Sequence, residues 1–268
     1  MIIGKKKFMP GHTHVMGILN ITPDSFSDGG NYIYVPAAMA RVGEMIEEGA
    51  EIIDIGGEST RPGSEPVEAH EEMRRVIPVI QAIREKYDIP LSLDTYHVET
   101  AKAGLEAGVD MINDVSGLKD PAMGKVIAEH GAAVCLMHNQ KGCEYQDLIP
   151  EVSNALFEAA QRAISAGIAP EKIVLDPGIG FGKTREQNLQ VLARLQTFAE
   201  LGYPMLLGAS RKSVIGLTLG LPENERVEGT LATTAEAVAA GYLFVRVHDV
   251  EANVRMIRML ETIRAFRR

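Results

Sequence analysis

The stretch His14-Val-Met-Gly-Ile-Leu-Asn20 is a short apolar run that ends in a polar side chain. Seven further apolar runs follow, each with a polar residue at or near its end: Glu51–Gly57, Ile89–Thr95, Met111–Val115, Ala132–His138, Ile173–Gly178, Pro204–Ser210 and Leu243–Asp249. They are rich in Val, Ile and Leu without clean polar alternation, as parallel strands covered on both faces are. Between them, Pro36–Gly49, Val67–Tyr87, Pro150–Gly167, Arg185–Leu201, Arg226–Gly241 and Glu251–Phe266 carry apolar residues at helical spacing. Gly49, Gly108, Gly131, Gly167, Gly202 and Gly241 each follow a helical segment, where a residue without Cβ can stop a helix at φ > 0. Such parts could also build an open doubly wound sheet. Eight strand–helix units at near-even spacing favour closure, and predict an α/β fold, a (β/α)8 TIM barrel, as a single domain over residues 1–268.

Composition narrows the function classes. The 268 residues carry a formal net charge of −9, with no long Lys/Arg run, which disfavours nucleic acid and anionic membrane surfaces as partners. Cys135 and Cys143 are the two cysteines and stand in no CxxC or Cys/His ligand spacing, so neither a disulfide nor a zinc framework is expected. Met1–His14 has three lysines but no apolar region after them, and the longest apolar stretch falls short of a membrane span. The expectation is a soluble cytoplasmic protein. His12 and His14 could be imagined as metal ligands, but with no carboxylate or cysteine nearby in sequence they are expected to be surface histidines.

Barrel chemistry sits at the carboxyl ends of the strands. Asp94 ends the third run, Asn113 stands in the fourth and Asp176 in the sixth. Ser92 shares a strand face with Asp94, and Met111 with Asn113, because successive side chains alternate. Two carboxylates and an amide at one mouth make an acceptor-rich pocket, suited to a flat heterocycle with several N–H donors. Any one of these Asp residues could instead cap a helix.

Gly208-Ala-Ser-Arg-Lys-Ser213 reads as a turn into a helix start, where backbone N–H groups and Lys212 attract a carboxylate or phosphate. The bland alternative is a capped helix with solvated Arg211 and Lys212. Arg246 and His248 alternate with Val245 and Val247, so they share a face of the eighth strand. Burying them calls for an anionic partner. A diphosphate would serve, as would a structural bridge to Asp249 or a neighbouring strand.

The loops Thr22–Gly30 and Gly56–Gly63 follow strands one and two and can fold over a substrate, with Phe26 and Arg61 hard to explain as ordinary turn residues. Gly178-Ile-Gly-Phe-Gly-Lys-Thr184 looks like a nucleotide P-loop but is one residue short, with Pro177 where Gly is needed. It reads instead as a tight loop that shows Phe181 to the pocket.

Together these stretches resemble the dihydropteroate synthase family over the whole chain. Met-Gly-Ile-Leu-Asn20-Ile-Thr-Pro-Asp-Ser-Phe-Ser-Asp-Gly-Gly30 is similar to its first signature, and Gly-Gly-Glu-Ser-Thr60-Arg61-Pro-Gly to its second. Asp94, Asn113, Asp176 in Asp-Pro-Gly-Ile-Gly-Phe-Gly, Ser-Arg-Lys212-Ser and Arg246-Val-His248 follow in the family's order.

The resemblance implies a transferase of folate biosynthesis. It would condense 6-hydroxymethyl-7,8-dihydropterin diphosphate with p-aminobenzoate to 7,8-dihydropteroate, releasing pyrophosphate with Mg2+. It implies that Asp94, Asn113, Met137, Asp176, Gly208 and Lys212 hold the pterin. Asn20, through Mg2+, and Arg246 and His248 would hold the diphosphate. Phe26, Thr60, Arg61, Pro62, Phe181, Lys212 and Ser213 would form the p-aminobenzoate site. Asp94, Lys212, Arg246 and His248 are the expected catalytic set. The resemblance also implies sulfonamide inhibition and a homodimer. Two rival readings are a pterin-binding methyltransferase using methyltetrahydrofolate and a non-catalytic pterin-binding protein. The first has no diphosphate to hold, and intact loops with Asn20, Asp24, Thr60 and Arg61 argue against the second.

Overall fold

The computed structural model describes residues 1–21, 34–58 and 67–266. A hairpin of β1 (Ile2–Ile3) and β2 (Lys6–Lys7) opens the chain. The barrel strands follow as β3 (His14–Asn20), β4 (Ile52–Gly56), β5 (Leu91–Asp94), β6 (Met111–Asp114), β7 (Ala133–Met137), β8 (Ile173–Asp176), β9 (Leu206–Leu207) and β10 (Phe244–Val247). All are parallel, in the order β8-β7-β6-β5-β4-β3-β10-β9. A parallel bridge between Leu175 and Met205 joins the two ends, and Leu175 donates its N–H to the Pro204 carbonyl at 3.0 Å. The sheet is therefore closed, as the even spacing of the runs predicts. The seventh strand is reduced to two residues, the least regular part of the wall.

The helices are α1 (Tyr34–Glu48), α2 (Ala69–Lys86), α3 (Val98–Glu106), α4 (Pro121–Glu129), α5 (Leu148–Ser165), α6 (Arg185–Leu192), α7 (Leu195–Ala199), α8 (Ser213–Leu219), α9 (Val227–Ala240) and α10 (Val250–Ala265). Residues 185–201, expected as one helix, form two. Ala193 closes α6, and Arg194 donates back to Val191, three residues away, before leaving the helical region at φ −126° and ψ 23°. The six glycines expected to stop helices all have positive φ, between 59° and 108°. No helix among the described residues is long and apolar enough to cross a membrane.

Strand parity divides the core in two. Val15, Leu19, Ile53, Ile55, Leu93, Ile112, Val134, Leu136, Leu175 and Val245 face outward and pack against the helix ring. The residues between them face the barrel axis. At its amino-terminal end these are Met16, Ile52, Met111, Ala133, Cys135, Val174, Leu206 and Phe244. Ile3 and Phe8 from the opening segment complete that inner cluster and close the barrel from below. That segment corrects one expectation. His14 is buried rather than superficial, and its Nδ1 lies 2.9 Å from a carboxylate, Glu51 Oε1, supplied by the turn before β4.

Candidate active site

Follow the same inward parity toward the carboxyl ends and the residue types change. Asp54 lies two residues beyond Ile52, Asp94 two beyond Ser92, Asn113 two beyond Met111, Met137 two beyond Cys135, Asp176 two beyond Val174, and Arg246 two beyond Phe244. Register sets them side by side. Asn20 pairs with Gly56, Gly56 with Asp94 and Asp94 with Asn113, while Met137 pairs with Asp176. A Cβ placed on Gly208 would lie 3.2 Å from Asp176 Oδ2, so glycine there keeps that oxygen approachable. The structure thus brings the predicted strand-end residues to one opening. Phe26, Thr60, Arg61, Pro62 and Asp24 lie outside the described residues.

Arg246 is the electrostatic centre. Its Nε donates to Asp54 Oδ2 at 2.5 Å and its Nη2 to Asp94 Oδ2 at 2.8 Å. Asn113 Nδ2 donates to Asp54 Oδ2 at 3.4 Å. The partner weighed from sequence, Asp249, is used otherwise. It accepts from Arg211, whose Nε lies 3.0 Å from Oδ2 and whose Nη2 lies 2.5 Å from Oδ1. Three neighbouring buried oxygens have no hydrogen-bond partner among the described residues: Asp54 Oδ1, Ser92 Oγ and Asp94 Oδ1. Burial pushes the Asp94 carboxyl up to about 7, with Arg246 opposing the rise and Asp54 adding to it. Burial likewise raises Asp176 against the pull of Lys212. Arg246 is held above its ordinary value: burial alone would lower it, but Asp54 and Asp94 outweigh that.

The loop after β8 carries the remaining groups. Asp176 Oδ1 accepts the Gly178 N–H at 2.8 Å, which turns the chain back over the carboxylate. Gly178 has φ +70°, and a Cβ there would sit 2.0 Å from the His138 carbonyl oxygen, so only glycine fits. Lys212 is not the solvated lysine of the bland reading. Its ammonium donates to the Ile179 carbonyl and lies 4.4 Å from the Phe181 ring centroid. Burial lowers it to about 8, with Asp176 resisting. Ser213 is exposed at the first position of α8. His248 accepts or donates at Nδ1 to Ser210 Oγ, 2.9 Å away.

Five residues were given no role by the sequence reading. Asp54 stands in Ile-Ile-Asp-Ile, and a charge inside an apolar run is a readable sign of a buried partner. Ser92 and Ser210 belong to runs already identified but bear no charge to single them out. His138 ends the fifth run and Lys183 stands in the P-loop-like stretch, but nothing local says that the two meet. The buried Lys183 ammonium donates to the carbonyls of Gly178 (2.9 Å) and Phe181 (3.1 Å) and meets His138 Nδ1 at 2.9 Å. Burial brings Lys183 down to about 7 and, with the Lys183 charge, His138 down to about 3, so His138 is a neutral acceptor. Lys183 thereby pins the loop that displays Phe181. Thr184 and Gln187 then start α6 with a reciprocal capping box.

Similarity to known proteins points the same way. The model of a family described as "Pterin binding enzyme" matches residues 16–248. The dihydropteroate synthase of Clostridium beijerinckii is 52% identical, over 98% of this chain and 99% of that protein. That of Bacillus subtilis is 50% identical, over 94% of this chain and 88% of its own length. Among solved structures, the Clostridium difficile dihydropteroate synthase, determined in the presence of pteroic acid, superposes with a TM-score of 0.94 at 49% identity, covering 96% of this chain and 99% of that one. The Yersinia pestis enzyme in complex with a sulfonamide drug gives 0.92 at 38% identity, covering 99% of each chain. A closed barrel whose inner face turns from apolar to acidic toward its mouth, and near-full-length identity of 38–52% to these enzymes, place this chain in the dihydropteroate synthase family of pterin-binding enzymes.

Proposed function

We infer that this barrel mouth is where the chain performs its family's reaction, the condensation of 6-hydroxymethyl-7,8-dihydropterin diphosphate with p-aminobenzoate to 7,8-dihydropteroate and pyrophosphate. The observation that carries the assignment of residues is the group of buried acceptors left with spare capacity around Arg246. Buried polar atoms are nearly always satisfied, so unused carboxylate oxygens at a mouth fit a ligand rich in N–H donors.

In this reading Asp176 Oδ2 accepts from the 2-amino group and ring N–H of the pterin, with Gly208 leaving room for the ring. Asn113 and Met137 line the edge and floor, and Lys212 donates to ring acceptors. Arg246 spends two of its five N–H donors on Asp54 and Asp94, which leaves donors for the diphosphate beside His248 and Asn20. Negative charge then grows on the leaving diphosphate, where Arg246 and His248 stabilise it. The methylene left on the electron-rich pterin is electron-poor, and the Asp94 carboxylate stabilises it. The arylamine attacks that carbon last, beside Phe181 and with its carboxylate toward Lys212 and Ser213, and its nitrogen gives up one proton to the departed pyrophosphate or to water. Phe26 and Thr60–Pro62 are assigned to the same aminobenzoate subsite, where sulfonamides would compete.

Mg2+ fits the oxygen donors present. A Cβ on Gly56 would lie 3.6 Å from Asn20 Oδ1 and 3.8 Å from the Asp94 Cβ, so glycine leaves a gap between an amide oxygen and a carboxylate. Asn20 would hold the ion, which when bound supplies neutralisation of the diphosphate charge. A homodimer belongs to the same proposal, supported by exposed Leu217 and Leu219 on α8 and Met259 and Ile263 on α10; light scattering tests it.

The direct test mixes purified protein with the pterin diphosphate, Mg2+ and p-aminobenzoate and follows pyrophosphate. Release that depends on all three is expected. Release that is unchanged in both Asp176→Ala and Arg246→Ala would remove the assignment of residues. The order of steps has its own test, positional isotope exchange in the diphosphate. Exchange without arylamine supports departure before attack, and its absence contradicts it.

A further inference from the structure

The mouth uses the polar groups at one end of the barrel, and a second cluster at the other end takes no part in the reaction. His14 begins β3 and has its Nδ1 2.9 Å from Glu51 Oε1; His12 has its Nε2 3.3 Å from that same oxygen. One ligand atom from each of the three residues lies within 4.8 Å of the other two. A tetrahedral ion with bonds of about 2.0–2.1 Å sets its ligand atoms roughly 3.3 Å apart, near these two spacings of 3.3 and 2.9 Å.

The far nitrogen of each ring is already committed. His12 Nδ1 faces Glu261 Oε2 from α10 at 2.7 Å, and His14 Nε2 faces the Met9 carbonyl oxygen at 3.3 Å. A carboxylate and a carbonyl only accept, so both of these nitrogens carry hydrogen. The near nitrogens then converge on one oxygen of Glu51. Protonating both makes two imidazolium rings with centroids 4.5 Å apart, while leaving either neutral turns a lone pair toward an oxygen. A cation among the three atoms relieves both conflicts. Ligating histidines characteristically donate their other N–H to a carboxylate or carbonyl in this way.

The surroundings allow entry. The His12 side chain is 42% exposed, and His12, Thr13, Glu51, Val254 and Arg258 line a cavity of about 270 Å³ with space for a water. The charged groups facing the cluster are Lys6, 2.9 Å from Glu51 Oε2, Glu261 on His12 and Arg258 in the cavity wall.

We propose that His12, His14 and Glu51 form a site for a borderline-soft divalent cation such as Zn2+, with water as fourth ligand and Glu261 orienting His12. Two imidazoles and one carboxylate select Zn2+ or Co2+ over the oxygen-seeking Mg2+. The ion would tie the segment that plugs the barrel to the turn before β4 and to α10.

Untagged protein is titrated with Co2+ at about pH 7.5 in excess Mg2+, and Zn2+ is then added. One Co2+ per chain with a tetrahedral visible band, displaced by Zn2+, is expected. His12→Ala, at a half-exposed position the fold tolerates, should weaken binding by more than about 100-fold, and Glu261→Gln by about 10–100-fold. Pyrophosphate release in Mg2+ should be the same in wild type and His12→Ala. A wild type that binds no Co2+, or binding that survives both His12→Ala and Glu51→Gln, overturns the proposal.

Discussion

Ile52 and Asp54 lie two residues apart on one face of β4, and they serve opposite ends. Ile52 packs with Met16, Met111, Val174 and Phe244, fully buried and without a polar partner to find. Asp54 is equally buried, and Arg246 reaches across the barrel to pair with it. Phe244 and Arg246 repeat the contrast on β10, as do Val174 and Asp176 on β8. One step of the strand repeat separates a layer that holds the barrel closed from a layer whose charges are balanced against one another with acceptors to spare.

The strongest way to break this division is to truncate both layers on one strand. Phe244→Ala should cost about 3–5 kcal/mol through its cavity. Arg246→Ala should cost about as much, ~3–5 kcal/mol, by stranding Asp54 and Asp94. Urea unfolding would show two similar losses. Turnover per folded molecule should separate them, near wild type for Phe244→Ala and lost for Arg246→Ala. Equal turnover losses at equal folded fraction would mean that the inner layers are not distinct.

Asp176→Ala sharpens the contrast within the upper layer. Two charge-assisted hydrogen bonds at about 1.5–3 kcal/mol each would be lost, so pterin affinity should fall by more than roughly 100-fold. Asp176 also accepts the buried Gly178 N–H, so the same change should lower stability only modestly, by about the 0.5–1.5 kcal/mol of one hydrogen bond. Calorimetry with the pterin and a thermal melt read the two effects separately. A large drop in stability with affinity intact would make Asp176 a structural residue.

The division itself is the part of the molecule that was legible in the sequence. Apolar runs ending in polar residues encode both layers, because side chains two apart share a face. Helix ends were legible through glycine. What escaped depends on closure. Arg246 meets Asp54 and Asp94 across 192 and 152 residues of chain, and no local pattern says which inner positions face each other until the register is fixed. Lys183 and His138, 45 residues apart, meet only because β7 and β8 are neighbours. His14 read as superficial because Glu51 lies 37 residues away. The break between α6 and α7 left no proline or glycine to announce it.

The two titrating groups of the mouth give a smaller, directional effect. Asp94 must be ionised to stabilise a cationic carbon, and its carboxyl sits at about 7, so kcat/KM for the pterin substrate should fall as pH drops below that. Lys212 must be protonated to donate, and it sits at about 8, so the same quantity should fall above that. A narrow bell between the two is expected, reporting the free enzyme. Lys212→Arg should remove the alkaline limb, since a guanidinium stays charged. Asp94→Asn should remove the acid limb and lower kcat more than it raises KM. A raised pterin KM with kcat intact would reassign Asp94 to binding.

The smallest effect belongs to Ser210, which lies in the seventh run and touches neither layer's carboxylates. Its hydroxyl lies 2.9 Å from His248 Nδ1 and also accepts the His248 N–H at 3.2 Å, so it fixes both the ring and the backbone of that residue. This is not the sole contact His248 makes. Ser210→Ala should therefore cost only one hydrogen bond, about 0.5–1.5 kcal/mol, or roughly 2–10-fold in kcat. If His248 meets the diphosphate, the loss should appear in kcat and in KM for the pterin diphosphate, with affinity for a pterin lacking the diphosphate unchanged. A loss shared equally by both pterins would place His248 in the wall of the pocket and leave Arg246 as the one strand-borne cation on the leaving group.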